Sequence, residues 1–295
     1  MRFFKIYIAY SLIFTLIFLG EISGQGTIKT SCSLQSEILG TEIKYSIYLP
    51  PDYSEKNTYP TLFLLHGFRG DETSWVKRTN FQYIIDSLIR IEQLPNVIVV
   101  FPDGKNTYFI NDYTGKVRYE DFFIEEFIPY LNNNFRIQKG KKHTAIGGLS
   151  MGGYGATILA IKHPDLFGTV INLSGAVRTD EQFETLTPVK YQTNYSKIYG
   201  DSLFGEARIT QHWKNNCPYY LIDSMSADSL RTINWYIDCG NKDFLLPANK
   251  ALHEFFIDYS IPHNFQIRDG DHSWSYWQEG FLIAIKCWGE YLMSE

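Results

Sequence analysis

The sequence has little positive charge, few cysteines and no internal repeat. Its 27 lysines and arginines are outnumbered by 32 aspartates and glutamates, so the formal net charge is −5 at pH 7. A nucleic-acid-binding domain usually carries a basic face, so this balance argues against a nucleic-acid partner. The cysteines are irregularly spaced, which argues against a zinc site, and they allow three disulfide pairings or free thiols. They are Cys32, Cys217, Cys239 and Cys287.

The N-terminal region lacks an apolar run of the roughly 20 residues that a transmembrane helix needs. Residues 6–20 are uncharged but shorter than that, and they follow the basic residues Arg2 and Lys5. A basic start, an apolar middle and a small polar end are typical of a secretory signal peptide. We therefore expect residues 1–25 to be removed and the protein to be secreted or periplasmic, with no stable membrane insertion after cleavage. An uncleaved N-terminal anchor is the alternative.

The rest of the chain alternates between strand-like and helix-like segments. Short apolar runs closed by turn residues predict buried strands, at 61–67, 97–104, 143–148, 166–175, 233–240 and 263–270. Helical spacing predicts helices at 81–91, 119–135, 151–163, 246–259 and 274–293. With an antiparallel strand at 41–50, the pattern predicts an α/β fold with a mostly parallel central sheet and helices on both faces. We expect residues 26–295 to form a single domain, with an irregular insertion at 177–232 over one end of the sheet.

The segment GGLSMGGYGA, residues 147–156, contains a G-x-S-x-G motif centred on Ser150. It lies between a predicted strand and a predicted helix, where such a serine occupies a strained turn and acts as a nucleophile. Gly148 and Gly152 have no side chain, so the strand and the helix can approach closely. The simpler interpretation is a glycine-rich turn with an idle serine.

A serine nucleophile needs a base, and the base needs an acid that orients it. Among the seven histidines, His272 is the one that follows a strand at its C-terminal end and comes after the serine. Asp243 follows the preceding strand by a short loop and is the candidate acid. Asp238 is still within the strand, while Asp269 and Asp271 are too near the histidine in sequence to reach its far nitrogen. The simpler alternatives are a surface histidine and an aspartate that caps a helix.

Attack of a serine nucleophile on a carbonyl group produces a negatively charged oxygen, the oxyanion. Two backbone N–H groups are expected to bind it. One belongs to Met151, directly after the nucleophile, and the other to Phe68 in the loop HGFRG after an earlier strand. This chemistry needs no metal and no organic cofactor.

Aromatic and polar residues cluster in sequence near the same predicted strand ends. Such rings can stack on a sugar or on a feruloyl group, although packing within the fold is the simpler explanation for several of them. The candidate substrate contacts are Trp75, Tyr108, Asn111, Trp274 and Tyr276, with Phe109, Asp112 and Tyr113 in the same group.

The motifs LLHG, FPDG, GLSMGGYGA, CGNKD and GDHSW, in this order, resemble those of the esterase D-type esterases. The resemblance covers residues 40–293. These α/β-hydrolases include feruloyl and acetyl-xylan esterases, S-formylglutathione hydrolases and bacterial mycolyltransferases. The resemblance implies the α/β-hydrolase fold, a triad of Ser150, Asp243 and His272, and an oxyanion hole at Phe68 and Met151.

The expected function is a secreted serine carboxylic-ester hydrolase that forms an acyl-enzyme and deacylates esterified carbohydrate, such as feruloyl or acetyl esters. Its expected partner is a small-molecule or polysaccharide ester. An acyltransferase to a sugar acceptor and an inactive carbohydrate-binding module are the alternatives. Hydrolysis of S-formylglutathione is disfavoured, because that substrate is cytosolic and this chain is expected to be exported. The sequence does not determine the acyl group, the alcohol, the oligomeric state or the role of residues 177–232.

Overall fold

The computed structural model describes residues 24–294 of the chain. The predicted signal peptide, residues 1–25, therefore falls almost entirely outside the described residues. Among residues 24–294, no helix combines the length and the apolar character needed to cross a membrane.

A central sheet of eight strands forms the framework, in the order β1-β2-β4-β3-β5-β6-β7-β8. The strands are β1 Thr27–Ser36, β2 Thr41–Leu49, β3 Thr61–Leu65, β4 Ile98–Pro102, β5 Thr144–Leu149, β6 Thr169–Leu173, β7 Asn234–Gly240 and β8 His263–Arg268. The pairs β1–β2 and β2–β4 are antiparallel, and all other neighbours are parallel. The carboxyl ends of the parallel strands meet at one edge, where ligands bind in sheets of this kind.

Helices cover both faces of the sheet, so the predicted α/β architecture is confirmed. The α-helices are α1 Ser74–Arg78, α2 Phe81–Arg90, α3 Tyr119–Asp121, α4 Ile128–Asn134, α5 Met151–Lys162, α6 Asp180–Glu184, α7 Pro188–Asn194, α8 Ser196–Tyr199, α9 Gln211–Lys214, α10 Pro218–Asp223, α11 Asp228–Arg231, α12 Leu246–Asp258 and α13 Trp274–Met293. A π-helical segment, Phe122–Phe127, joins α3 to α4, and Lys141–His143 and Gly205–Arg208 form 3₁₀ turns.

The sheet separates two hydrophobic cores. Phe63 and Leu65 of β3 point into the core beneath α5 and α12, whereas Leu62 and Leu64 point into the core beneath α2 and α13. Successive side chains of a strand face opposite sides of a sheet. A strand covered on both faces therefore has consecutive apolar residues, as in the LFLL of β3.

The first strand, Thr27–Ser36, is one element that the sequence pattern did not predict. It lies at the edge of the sheet, so most of its side chains are exposed or half-buried. Its register with β2 also shifts between Lys29 and Cys32, which interrupts the alternation of apolar and polar positions. An exposed, bulged edge strand has neither of the two patterns that identify strands.

The insertion at 177–232 lies between β6 and β7 and consists of short helices, the longest of which has seven residues. Local sequence explains where several of them begin. The side chains of Thr179, Thr187 and Thr210 accept hydrogen bonds from backbone N–H groups in the first turns of α6, α7 and α9. Such caps start helices without any amphipathic pattern.

Candidate active site

Ser150 lies on the turn between β5 and α5, with a backbone φ of 53° and ψ of −114°. Residues other than glycine rarely adopt a positive φ, and it is stable only where the surroundings hold it. The Ser150 N–H donates to the carbonyl oxygen of Leu173 at 2.9 Å, and its own carbonyl oxygen accepts from Ala176 N–H at 2.9 Å. The end of β6 and the loop after it therefore hold the strained turn.

Two glycines make this turn possible. A Cβ atom on Gly152 would lie 2.5 Å from the carbonyl oxygen of Leu65, and one on Gly148 would lie 2.6 Å from the carbonyl carbon of Gly152. Both clashes involve backbone atoms, which cannot swing away as a side chain does. The strand, the turn and the helix thus pack too closely for any side chain at these two positions.

Ser150, His272 and Asp243 lie in one hydrogen-bonded chain. The Nε2 atom of His272 is 3.0 Å from Ser150 Oγ, and its Nδ1 atom is 2.8 Å from Asp243 Oδ2. The second carboxylate oxygen of Asp243 accepts from the Leu245 N–H at 2.8 Å. If Nδ1 carries the ring proton, Nε2 can take the proton of Ser150 during attack on a carbonyl carbon.

The hydrogen bonds around Asp243 favour its ionised form. Burial alone would raise the pKa of Asp243, but the hydrogen bonds from His272 and from Leu245 N–H outweigh it and hold that pKa below its ordinary value. The carboxylate is therefore charged at neutral pH and can stabilise a protonated imidazole.

Two of the rival aspartates, Asp238 and Asp269, have other partners. Asp238 is buried, and it accepts hydrogen bonds from Arg268 Nε at 2.8 Å and from the Tyr276 hydroxyl. Asp269 pairs with Lys242, with 2.9 Å between Oδ1 and Nζ. The structure therefore joins His272 to Asp243.

Two backbone N–H groups next to Ser150 are available to a ligand. Phe68 and Met151 line the same cleft as Ser150, and neither N–H donates to another residue in the described part of the chain. Met151 begins α5, and the first N–H groups of a helix have no partner in a preceding turn. A negatively charged oxygen bound at Ser150 would find both donors free.

The cleft around Ser150 and His272 has a volume of about 400 Å³. Aromatic rings form much of its wall: Phe68, Tyr108, Tyr195, Phe244, Trp274 and Trp277. Of the predicted substrate contacts, Tyr108 and Trp274 line this cleft.

The other predicted contacts do not line the cleft, so the structure corrects the expectation that they touch substrate there. Trp75 is 1% exposed, and its Nε1 donates to the carbonyl oxygen of Leu65 at 3.0 Å. Tyr276 is buried as well. Asn111 donates from Nδ2 to Asp121 at 2.8 Å. Hydrogen bonds and packing inside the fold account for all three.

The insertion supplies cleft residues that sequence reasoning missed, namely Arg178, Lys190, Asn194 and Tyr195. Arg178 comes five residues after the end of β6, so its position near a strand end was a weak signal. Lys190 and Tyr195 lie further along, in α7 and just after it, and no local pattern marks them. The insertion thus forms one wall of the cleft.

The comparisons with known proteins agree with this architecture. The model of the family described as "Putative esterase" matches residues 36–286. An acetyl esterase of Caldicellulosiruptor saccharolyticus is 27% identical over 77% of this chain and 82% of that protein. An endo-1,4-beta-xylanase/feruloyl esterase of Xylanibacter ruminicola is 33% identical over 53% of this chain, which spans only 23% of that longer protein. A solved ferulic acid esterase has a TM-score of 0.76 and 27% identity, covering 90% of this chain and 99% of that one.

The family model matches most of the chain, and the matched residues include the whole cleft described above. The resemblance inferred from the motifs is therefore confirmed. The chain belongs to the esterase family and is a carboxylic-ester hydrolase.

Proposed function

We propose that this chain is an exported serine esterase that removes acyl groups from esterified carbohydrate through an acyl-enzyme on Ser150. The observation that carries the proposal is the hydrogen-bonded chain from Ser150 Oγ through His272 to Asp243. Beside Ser150 lie two backbone N–H groups that have no acceptor among the described residues. A nucleophile, a base, an orienting acid and oxyanion donors form the set that acyl transfer requires.

Each step follows from this geometry. His272 takes the proton of Ser150 as Oγ attacks the ester carbonyl carbon, and Asp243 stabilises the imidazolium. The N–H groups of Phe68 and Met151 bind the oxyanion that forms. His272 then gives its proton to the leaving alcohol, which leaves the acyl group on Ser150. Water enters, loses a proton to His272 and releases the acid by the same steps in reverse.

The carbohydrate ester is proposed on two grounds. The cleft presents several aromatic rings, and rings of this kind stack on sugars and on phenolic acyl groups. The similar proteins named acetyl esterase, endo-1,4-beta-xylanase/feruloyl esterase and ferulic acid esterase suggest acetyl or feruloyl esters as the first substrates to test.

The deciding experiment labels the purified protein with a fluorophosphonate and locates the adduct by mass spectrometry. We expect the label on Ser150, and we expect Ser150→Ala to lose both the label and about 10⁶-fold in kcat. Ser275→Ala is the matched control, because Ser275 is exposed and, within the described residues, its hydroxyl bonds only to that of Ser273, at 3.1 Å. An unlabelled Ser150, or near-normal turnover by Ser150→Ala, would show that the proposed nucleophile is wrong.

A substrate panel then tests the ester. Acetyl and feruloyl esters of a sugar are compared with the same acyl groups on simple alcohols, with product analysis in the presence of added sugar. Release of the free acid, faster from the sugar esters, is expected. A new sugar ester as the main product would instead show acyl transfer.

Export is proposed from the N-terminal sequence alone. Expression of the full chain in a bacterial host with a secretion pathway, followed by N-terminal sequencing of the mature protein, is expected to show a start near residues 24–26. A product that keeps Met1 and sediments with membranes would show an uncleaved anchor.

A further inference from the structure

Four basic side chains line the cleft around Ser150: Arg69, Arg78, Arg178 and Lys190. No aspartate or glutamate is among the described residues that line it. The whole chain carries a net charge of −5, so the cleft has the opposite sign to the rest of the protein. A cleft lined by charge of one sign attracts ligands of the other sign.

None of these four cations has a counter-ion among residues 24–294. The ion pairs found between residues 24–294 include none of them. Each lies over an aromatic ring instead: Lys190 Nζ is 4.9 Å from the ring centre of Phe244, and the Arg78 guanidinium is 5.7 Å from that of Trp274. A ring can hold a cation in place, but it leaves the positive charge available to a ligand.

Arg178 is the most informative of the four because it is only 9% exposed. Its Nε donates to the Tyr195 hydroxyl at 3.1 Å, and this is the one hydrogen bond that its guanidinium makes within the described residues. A guanidinium has five N–H donors, and burying its charge without an anion is strongly unfavourable. The Arg178 nitrogens that make no hydrogen bond within the described residues are not fully buried. Because Arg178 lines the cleft, these remaining donors reach it.

The backbone connects Arg178 to the nucleophile. Ala176, two residues earlier, donates its N–H to the carbonyl oxygen of Ser150 at 2.9 Å. The segment that holds the strained turn in place therefore also carries the buried guanidinium into the same cleft. An anionic group bound to Arg178 and an ester carbonyl at Ser150 can belong to one substrate.

We propose that the ester this cleft hydrolyses carries a carboxylate, in its acyl part or in its alcohol part, and that this carboxylate binds Arg178. The inference rests on the proposed function and specifies its substrate class. The planar fork of arginine matches a carboxylate with two parallel hydrogen bonds. Arg69, Arg78 and Lys190 line the same cleft and add to its positive field.

Two pairs of esters, each differing in one charge, test the inference and distinguish the two halves of the substrate. The acyl pair is 4-nitrophenyl hydrogen glutarate and 4-nitrophenyl valerate. The sugar pair is an acetylated methyl glucuronoside and the corresponding acetylated methyl glucoside. We expect kcat/KM to be about 10- to 100-fold higher for the anionic member of one pair, which is the range for a hydrogen bond to a charged group. Added salt is expected to reduce this advantage by screening the field.

The variants assign the effect to Arg178. Arg178→Gln is expected to remove the preference of wild type for the anionic member, and Arg178→Lys is expected to restore part of it. Arg90→Gln removes an exposed cation outside the cleft and is expected to leave the preference unchanged. If Arg178→Gln does not fold, Lys190→Gln is the second variant, because Lys190 is half-buried in the wall of the cleft. It is expected to reduce the preference for the anionic ester by less than Arg178→Gln would.

Equal turnover of the charged and neutral members in both pairs would overturn the inference. The proposed function would stand in that case, because the neutral esters would still be cleaved in a Ser150-dependent reaction. An equal loss on both members in Arg178→Gln would also overturn it, since the preference would then not depend on this guanidinium. No turnover of any ester by the wild-type protein would overturn the proposed function, and the inference with it.

Discussion

The Nδ1 atom of His66 donates a hydrogen bond to the carbonyl oxygen of the next residue, Gly67, at 2.8 Å. The other ring nitrogen, Nε2, accepts from the N–H of Gly104 at 2.9 Å, which leaves Nδ1 as the protonated atom. In a trans peptide the N–H points away from the carbonyl oxygen. Because the Gly67 carbonyl is turned toward the buried His66, the Phe68 N–H is turned toward the other side. The Gly70 N–H donates to the same carbonyl oxygen at 2.9 Å. His66 and Gly70 together therefore set the direction of one proposed oxyanion donor.

This arrangement predicts that His66→Ala lowers kcat, because the Gly67–Phe68 peptide loses one of the two hydrogen bonds that orient it. Losing an oxyanion donor typically costs about 10²–10³ in kcat, so a loss of up to that size is expected, with little change in KM. His66→Asn keeps a donor near the position of Nδ1 and is expected to recover part of the rate. Steady-state kinetics on a neutral ester measure both variants. A rise in KM at constant kcat would instead assign His66 to substrate binding.

The lowered pKa of Asp243 predicts a pH-dependent contribution to stability. A carboxyl whose folded pKa lies below its unfolded value of about 3.9 stabilises the fold fully above that pH. The contribution is lost as the pH falls through the lower, folded pKa. Urea unfolding of wild type and Asp243→Asn between about pH 7 and pH 3 should show a stability difference that shrinks below about pH 4.

The exposed Asp258→Asn variant controls for the removal of one negative charge. A difference between wild type and Asp243→Asn that stays constant over the whole pH range would contradict an ionised, hydrogen-bonded Asp243.

The close contact at the serine turn predicts that Gly152→Ala is destabilising. Its new Cβ would meet the carbonyl oxygens of Leu65 and His66 at 2.5 and 2.7 Å, so the backbone must shift. Overpacking of this kind costs about 1–3 kcal/mol or more in the free energy of unfolding. Ser275→Ala is the control, because Ser275 is an exposed residue of the folded domain, where a small substitution meets no close packing. Equal unfolding midpoints for the two variants would mean that the turn is looser than the structure shows.

Trp75 and Trp274 are neighbours, with 5.5 Å between ring centres, but we expect them to have different roles. Trp75→Phe leaves the Leu65 carbonyl without its donor and should lower the free energy of unfolding by about 1–3 kcal/mol, with KM unchanged. Trp274→Ala removes a ring from the cleft wall and should raise KM several-fold, up to about tenfold, for aromatic or sugar esters. Thermal unfolding and kinetics on both variants separate the two effects. A change of KM in Trp75→Phe would instead show that Trp75 contributes to substrate binding.

Much of the fold could be read from local patterns, since its central strands are buried on both faces. The segments TLFLL and IVVFP are almost entirely apolar, and they form β3 and β4 within two residues of the predicted bounds. The edge strand β1 was missed because an edge position needs no such run. The single helix predicted over 119–135 contains a π-helical segment at Phe122–Phe127, which its spacing of aromatic residues did not distinguish from α-helix.

The sequence by itself determined the family, the mostly parallel sheet and the three residues of the candidate triad. It could do so because Ser150, Asp243 and His272 each follow the carboxyl end of a parallel strand, and those ends meet at one edge whatever the loops do. Only the tertiary structure decided which aromatic rings face the cleft and which are buried. The direction of a side chain such as Trp75 depends on partners far away in the chain. The same holds for the four cations that line the cleft beside the nucleophile and form no ion pair within residues 24–294.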